Sequence, residues 1–185
     1  RTDPAAYYRL QGLNPDGSRN PALPVLLDVD NLIDYMTILF YTGDEDASLS
    51  VPFGNNRSNN WFAMRNREGD EGFRFFIHDA EQTMFSNHNI GDLSVDRTGP
   101  FIHPNQDLLA YSNPQWVHQD LMAHEEYRLR FADRVQMHLS PGGALSEEAI
   151  LARWNERAAQ VAMPIIAESA RWGDAQREPP FTKND

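Results

Sequence analysis

Two short aromatic runs, Trp61 to Asn66 and Phe73 to His78, flank the reversal Arg67-Glu68-Gly69-Asp70-Glu71-Gly72. A Gly- and Asp-rich turn between two such runs predicts a β-hairpin. Side chains alternate across a strand, so Phe73, Phe75, Ile77 and Asp79 share one face of the second run. That apolar stripe closes on a carboxylate at a strand end, where a ligand can reach it. Asn59 and Asn60 stand just before the first strand, beside the point where its antiparallel partner leaves. Upstream lies the acidic loop Gly43-Asp44-Glu45-Asp46.

Around the hairpin the pattern is helical. Residues 1–27 read as irregular, with Asn14-Pro15-Asp16-Gly17-Ser18 as a plain turn, since it lacks the ligand spacing of an EF-hand. Asp28 or Asp30 is placed to cap a helix running to about Tyr41. Leu32, Ile33, Met36, Leu39 and Phe40 give it a broad apolar face, and Gly43 is placed to stop it. Residues 86–110 have little periodicity and many turn formers, as in a functional loop. Asn113-Pro114 opens a further helix that is expected to break near Ala123-His124 and restart at Glu125. In the restarted helix Leu129, Ala132, Val135 and Leu139 are expected inside and Arg128 and Arg130 outside. Ser146 caps the next helix, Pro164 kinks it or starts another, and Gly173 ends it. Trp154, Met163 and Trp172 are expected in the core. The fold class is α+β.

At 185 residues the chain is long enough for a real core. A formal charge of −11 argues against nucleic-acid partners, which require a basic surface. With no cysteine there is neither a disulfide framework nor a thiolate metal site. No apolar run approaches the ~20 residues of a spanning helix, so membrane insertion is not expected. The only lysine is Lys183, and no glycine-rich phosphate loop is present.

A loop Asp, an Asn at a strand start and an Asp after the next strand form the constellation that protein kinases use for phosphoryl transfer. The order of helix, loop Asp, Asn-Asn-aromatic strand and a second strand closing in His78-Asp79-Ala80-Glu81 resembles the CotH (spore coat protein H) kinase-like family. The flanks, Leu10 to Ser18 and Glu126 to Gln136, are similar to a subgroup of large secreted bacterial proteins. The resemblance runs from about Tyr8 to Gly173. It implies the mostly helical carboxy-terminal lobe of an atypical protein-kinase-like fold with an embedded β-hairpin. Residues 1–173 would then be a partial domain whose amino-terminal lobe lies elsewhere in the same polypeptide, and 174–185 a loose polar tail.

The implied function is ATP- and Mg²⁺-dependent transfer to protein Ser/Thr hydroxyls, with Mn²⁺ as a substitute metal, in a secreted or envelope-associated protein. Asp46 would orient the acceptor hydroxyl and take its proton; Asn60, Asp79 and Glu81 would bind metal and nucleotide. Asn59 is the second choice to Asn60, and Asn55 and Asn56 belong to the same Asn-rich loop. Arg97 is a candidate contact for an acidic acceptor or a phosphate. The rival function is a non-catalytic pseudokinase module for adhesion or architecture. A transition-metal site around His78, Asp79 and Glu81 is the third reading, although His118 and His124 lack the i, i+4 spacing that would support it.

Overall fold

The computed structural model describes residues 3–48, 50–54, 57, 59–84, 93–105, 112–176 and 178–184. Asn55, Asn56 and much of the 86–110 loop lie outside that set. Backbone contacts divide the chain into two compact units, 1–135 and 136–185.

The first unit is built around one buried helix. Helix α1 (Pro4–Leu10) precedes α2 (Val29–Thr42), and the hairpin strands β1 (Trp61–Met64) and β2 (Arg74–Ile77) follow. Helices α3 (Pro114–Leu121) and α4 (Glu125–Leu139) come next, broken between them as the sequence predicts. The side chain of Asp28 caps α2 by accepting from the Asn31 amide at 3.0 Å. Gly43 ends the helix in the left-handed conformation, φ +62°. Leu32, Ile33 and Met36 are fully enclosed, and Leu39, Tyr7, Phe75, Leu121 and Tyr127 complete the core around them. Burying each large apolar side chain stabilises the unit by about 1.5–3 kcal/mol before entropy is counted.

The hairpin is antiparallel in the register Trp61↔Ile77 to Met64↔Arg74. It is tied to α2 by an amide side chain: Asn31 donates to the Phe75 carbonyl at 3.2 Å and accepts from the Phe75 amide at 2.5 Å. Asn31 thus acts as one more strand residue, satisfying the outer backbone groups of β2. A parallel bridge joins Leu27 to Phe73. Phe75 faces the core and Ile77 is half-buried, but Phe73 is exposed, so the apolar stripe is one residue shorter than its spacing predicts. On the opposite face Phe62 and Phe76 stack, with ring centroids 5.3 Å apart.

Helix α4 buries a different face from the aliphatic one. Leu129 and Leu139 are exposed, whereas Tyr127 is fully enclosed and Phe131 packs against the core. Arg130 and Arg134 point inward to carboxylates of α2, Arg130 to Asp30 at 2.6 Å and Arg134 to Asp34 at 2.5 Å. Residues 127, 130, 131 and 134 follow the i, i+3, i+4, i+7 spacing as well as the leucines do. Here aromatic rings and arginine stems cover the core, and ion pairs fix which face turns in.

The second unit contains α5 (Glu147–Val161) and α6 (Pro164–Gln176). Ser146 caps α5, accepting from the Ala149 amide at 3.4 Å, and Pro164 sits in the first turn of a separate helix. Gly173 does not end that helix. A Cβ there would lie 2.2 Å from the Phe181 carbonyl oxygen, and the Phe181 amide donates to the Gly173 carbonyl at 3.1 Å. The glycine is the point at which the described tail residues return onto α6. Trp154, Met163 and Trp172, expected in the core, are exposed.

Candidate functional site

The end of α2 delivers the chain into the acidic loop. Past Gly43, the Asp44 amide donates to the Leu39 carbonyl at 3.1 Å, and the Asp44 side chain accepts from the Asp46 amide at 3.1 Å. An antiparallel bridge between Asp46 and Ser50 then folds the loop back on itself. These contacts hold the backbone of Asp46 before any ligand arrives.

Its carboxylate is gripped as firmly. The Ser50 hydroxyl donates to Oδ1. The side-chain amides of Asn59 and Asn60 donate to Oδ2 at 3.0 and 3.1 Å. A carboxylate offers roughly four acceptor positions. Donors among the described residues fill three, which leaves room for one incoming hydroxyl.

Asn60 also connects Asp46 to the far strand. Its Nδ2 lies 3.4 Å from the carbonyl oxygen of Asp79, and its own carbonyl accepts from the His78 amide at 3.2 Å. Both residues adopt the left-handed region, Asn60 at φ +44° and Asp79 at φ +53°. Asn and Asp tolerate that region best among residues with a Cβ, yet it costs them energy, and such residues cluster at functional sites. Asp46, Asn60 and Asp79, distant in sequence, are therefore neighbours. Asp79 meets the amide through its backbone; its carboxylate is exposed and takes no protein donor among the described residues.

Glu81 is exposed close by, and its charge reaches Asp44. Asp44 itself is buried. Burial pushes its carboxyl up to about 6; the Asp46 amide opposes that rise, the charges of Asp46 and Glu81 add to it, and Arg97 opposes it. Arg97, expected to meet an external anion, pairs instead with the fully buried carboxylate of Glu45 at 3.5 Å. Ser50 and Glu45 are site components that the sequence did not single out, and Asn59, the second choice to Asn60, joins Asn60 on Asp46. Only the Asn-Asn pair carried a signal, since either amide could serve.

Among the described residues no group of three His, Cys, Asp or Glu side chains could hold a metal ion. An all-protein cage of the zinc or calcium kind is thus not formed by them. The donor set present is the unpartnered Asp79 carboxylate and the Asn60 Oδ1, left over once the amide nitrogen is engaged. That set fits Mg²⁺, which takes one or two protein oxygens and keeps its waters and phosphate ligands. The further histidines weighed for the third reading, His118 and His124, are elsewhere: His118 bonds to the Tyr127 hydroxyl at 2.8 Å inside the core, and His124 stacks on Tyr7.

The sequence profile of the family described as CotH kinase protein matches residues 13–183. The chain belongs to that family. No curated protein matches this CotH-family chain, and no solved structure does. The matched span covers most of each unit and every candidate site residue. No helix among its described residues is long and apolar enough to cross a membrane.

Proposed function

We propose that the chain carries the catalytic and metal-binding part of an ATP- and Mg²⁺-dependent protein phosphotransferase. The observation that supports this best is the Asp46–Asn60–Asp79 linkage, with one acceptor position left on Asp46. Asp46 orients a Ser or Thr hydroxyl of the acceptor protein and takes its proton as the oxygen bonds to the γ-phosphorus. The bond from that phosphorus to the β–γ bridging oxygen breaks, and ADP departs. Asn60 and Asp79 hold the metal and Glu81 supports them, directly or through water. When bound, Mg²⁺ neutralises charge on the transferring phosphates. Such chemistry depends on position and charge more than on any covalent step, so a few fixed oxygens suffice.

The cation that grips the α- and β-phosphates in other kinases is a lysine, and Lys183 is the only one here. In our reading that group belongs to an amino-terminal lobe outside residues 1–173, and the protein is secreted or attached to the cell envelope. The test uses the full-length protein: Mg²⁺ with ATP raises its melting temperature, and label passes from the γ-position of ATP to protein Ser or Thr. Indifference to nucleotide would overturn the proposal and return the chain to the role of an adhesion or structural module.

A further inference from the structure

Glu45 is the crossing point of three segments. Its amide donates to the Gln82 carbonyl at 3.3 Å, past the end of β2, and its carbonyl accepts from the Val51 amide at 2.7 Å, closing the loop that carries Asp46. Its side chain, fully buried, meets the Arg97 guanidinium, which is 12% exposed. Arg97 begins a short strap that is held again at Phe101. There Gln119 of α3 accepts from the Phe101 amide at 2.8 Å and donates to the Phe101 carbonyl at 3.0 Å. The strap is pinned at one end to the acidic loop and at the other to a core helix.

A buried ion pair is a weak source of stability, because both charges lose their water; its best-attested use is to fix one arrangement among several. The pair here has that character. Arg97 engages through Nη2, and its buried Nε has no hydrogen-bond partner among the described residues, so they do not use the guanidinium to its full capacity. Its location makes the arrangement matter. Glu45 adjoins Asp46 in the chain and is bonded to Gln82, one residue beyond Glu81.

We propose that Arg97, acting through Glu45, is a positioning residue that sets Asp46 and the segment after β2 at their working separation. This inference rests on the phosphotransfer reading given above. Arg97 touches neither Asp46 nor Asp79, and so it acts on the alignment of the acceptor rather than on nucleotide binding. Misplacement of reacting groups by about 1 Å costs on the order of a hundredfold in rate.

The experiment compares Arg97→Gln, Arg97→Lys, Glu45→Gln and the Arg97→Gln/Glu45→Gln double variant in the full-length protein. The readouts are kcat, KM for ATP, and amide hydrogen exchange of residues 44–51 and of α2. The expected result is a kcat at least tenfold lower in Arg97→Gln with KM for ATP within twofold. Arg97→Lys recovers part of the loss, and the double variant is no worse than the more impaired single one. Exchange rises at Val51 and Glu45 and stays unchanged in the centre of α2. Unchanged kcat in Arg97→Gln, additive losses in the double variant, or an effect confined to KM overturns the proposal. If Arg97→Gln fails to fold, Arg97→Lys decides by the same kcat and exchange criteria. If the unmodified protein transfers no phosphate, the phosphotransfer reading falls, and exchange alone decides: faster exchange confined to the loop keeps the positioning role, and unaltered exchange ends it.

Discussion

The side-chain amide of Asn60 touches both ends of the candidate site, the Asp46 carboxylate at 3.1 Å and the Asp79 carbonyl at 3.4 Å. One nitrogen therefore sets the distance between the proposed base and the strand end that carries the proposed metal ligand. Asn59 shares the same Asp46 oxygen and Ser50 donates to the other, so three donors fix its orientation without a ligand.

Asp46→Asn keeps the shape of the side chain and removes its capacity to accept a proton. Phosphate transfer to protein should fall about 10²- to 10⁴-fold, the range assigned to general-base catalysis. Melting-temperature gains with Mg²⁺ and ATP should persist, because Asp46 is not in the proposed metal set. Retained transfer activity would remove Asp46 from its role.

Asp79→Asn separates the carboxylate from the backbone, since Asn also tolerates the positive φ of +53° at this position. The unliganded fold should lose little stability. Stabilisation by nucleotide at a hundred times its Kd, about 2.7 kcal/mol for a simple binding site, should vanish in the variant. It should vanish only in the presence of Mg²⁺, which calorimetric titration with and without the metal would show. Equal nucleotide binding by the variant and the unmodified protein would place the metal elsewhere.

Gly72 packs tightly against the backbone just before α2. A Cβ there would lie 2.3 Å from the carbonyl carbon of Leu27 and 2.6 Å from the Asp28 nitrogen. Both are backbone atoms, so no rotamer change relieves the overlap. Gly72→Ala should cost about 3 kcal/mol, the upper range for overpacking. Gly54→Ala is the control: nothing among the described residues lies within 4 Å, but its φ of +74° leaves a backbone cost of about 1 kcal/mol. Urea unfolding of the two variants measures the difference, and equal losses would show that the Leu27–Phe73 junction gives way easily.

The legible parts of the sequence were those with local signals. Asp28 and Gly43 bracket α2 as capping rules predict, and the Gly-Asp reversal marks the hairpin. The order along the chain names the candidate site residues, and the fold brings Asp46, Asn60 and Asp79 together. Their mutual support was not. Asn31 clamping Phe75 and Gln119 clamping Phe101 join residues 44 and 18 positions apart, and an amide side chain carries no sign of a distant backbone partner. The inward face of α4 was misread for a related reason. Leu129 and Leu139 have the expected periodicity, but Asp30 and Asp34 on another helix decide that the arginines turn in. Apolar periodicity alone cannot register a charge waiting opposite.

Two buried groups give stability an unusual dependence on pH. The Asp44 carboxyl is raised from 3.8 to about 6, chiefly by burial. Between those values the folded chain holds more protons than the unfolded one, so this group makes stability fall as pH rises from about 4 to 6. The His118 imidazole is lowered from 6.5 to about 4, again by burial. It makes the unfolded chain the better proton binder across that range, so its contribution is full above pH 6.5 and is lost as pH falls toward 4. The two slopes oppose each other, and the unmodified protein should show little net change between about pH 4 and 6 from this pair. Asp44→Asn keeps Oδ1 as an acceptor for the Asp46 amide and removes one slope. Its stability in the absence of divalent metal should therefore rise with pH through this window. Above pH 6 it should exceed that of the unmodified protein by on the order of 2–3 kcal/mol, at about 1.4 kcal/mol per pK unit. Near pH 4 the two should coincide. Urea unfolding at half-unit pH steps makes the comparison, and parallel profiles would mean that Asp44 is ionised at little cost inside the fold.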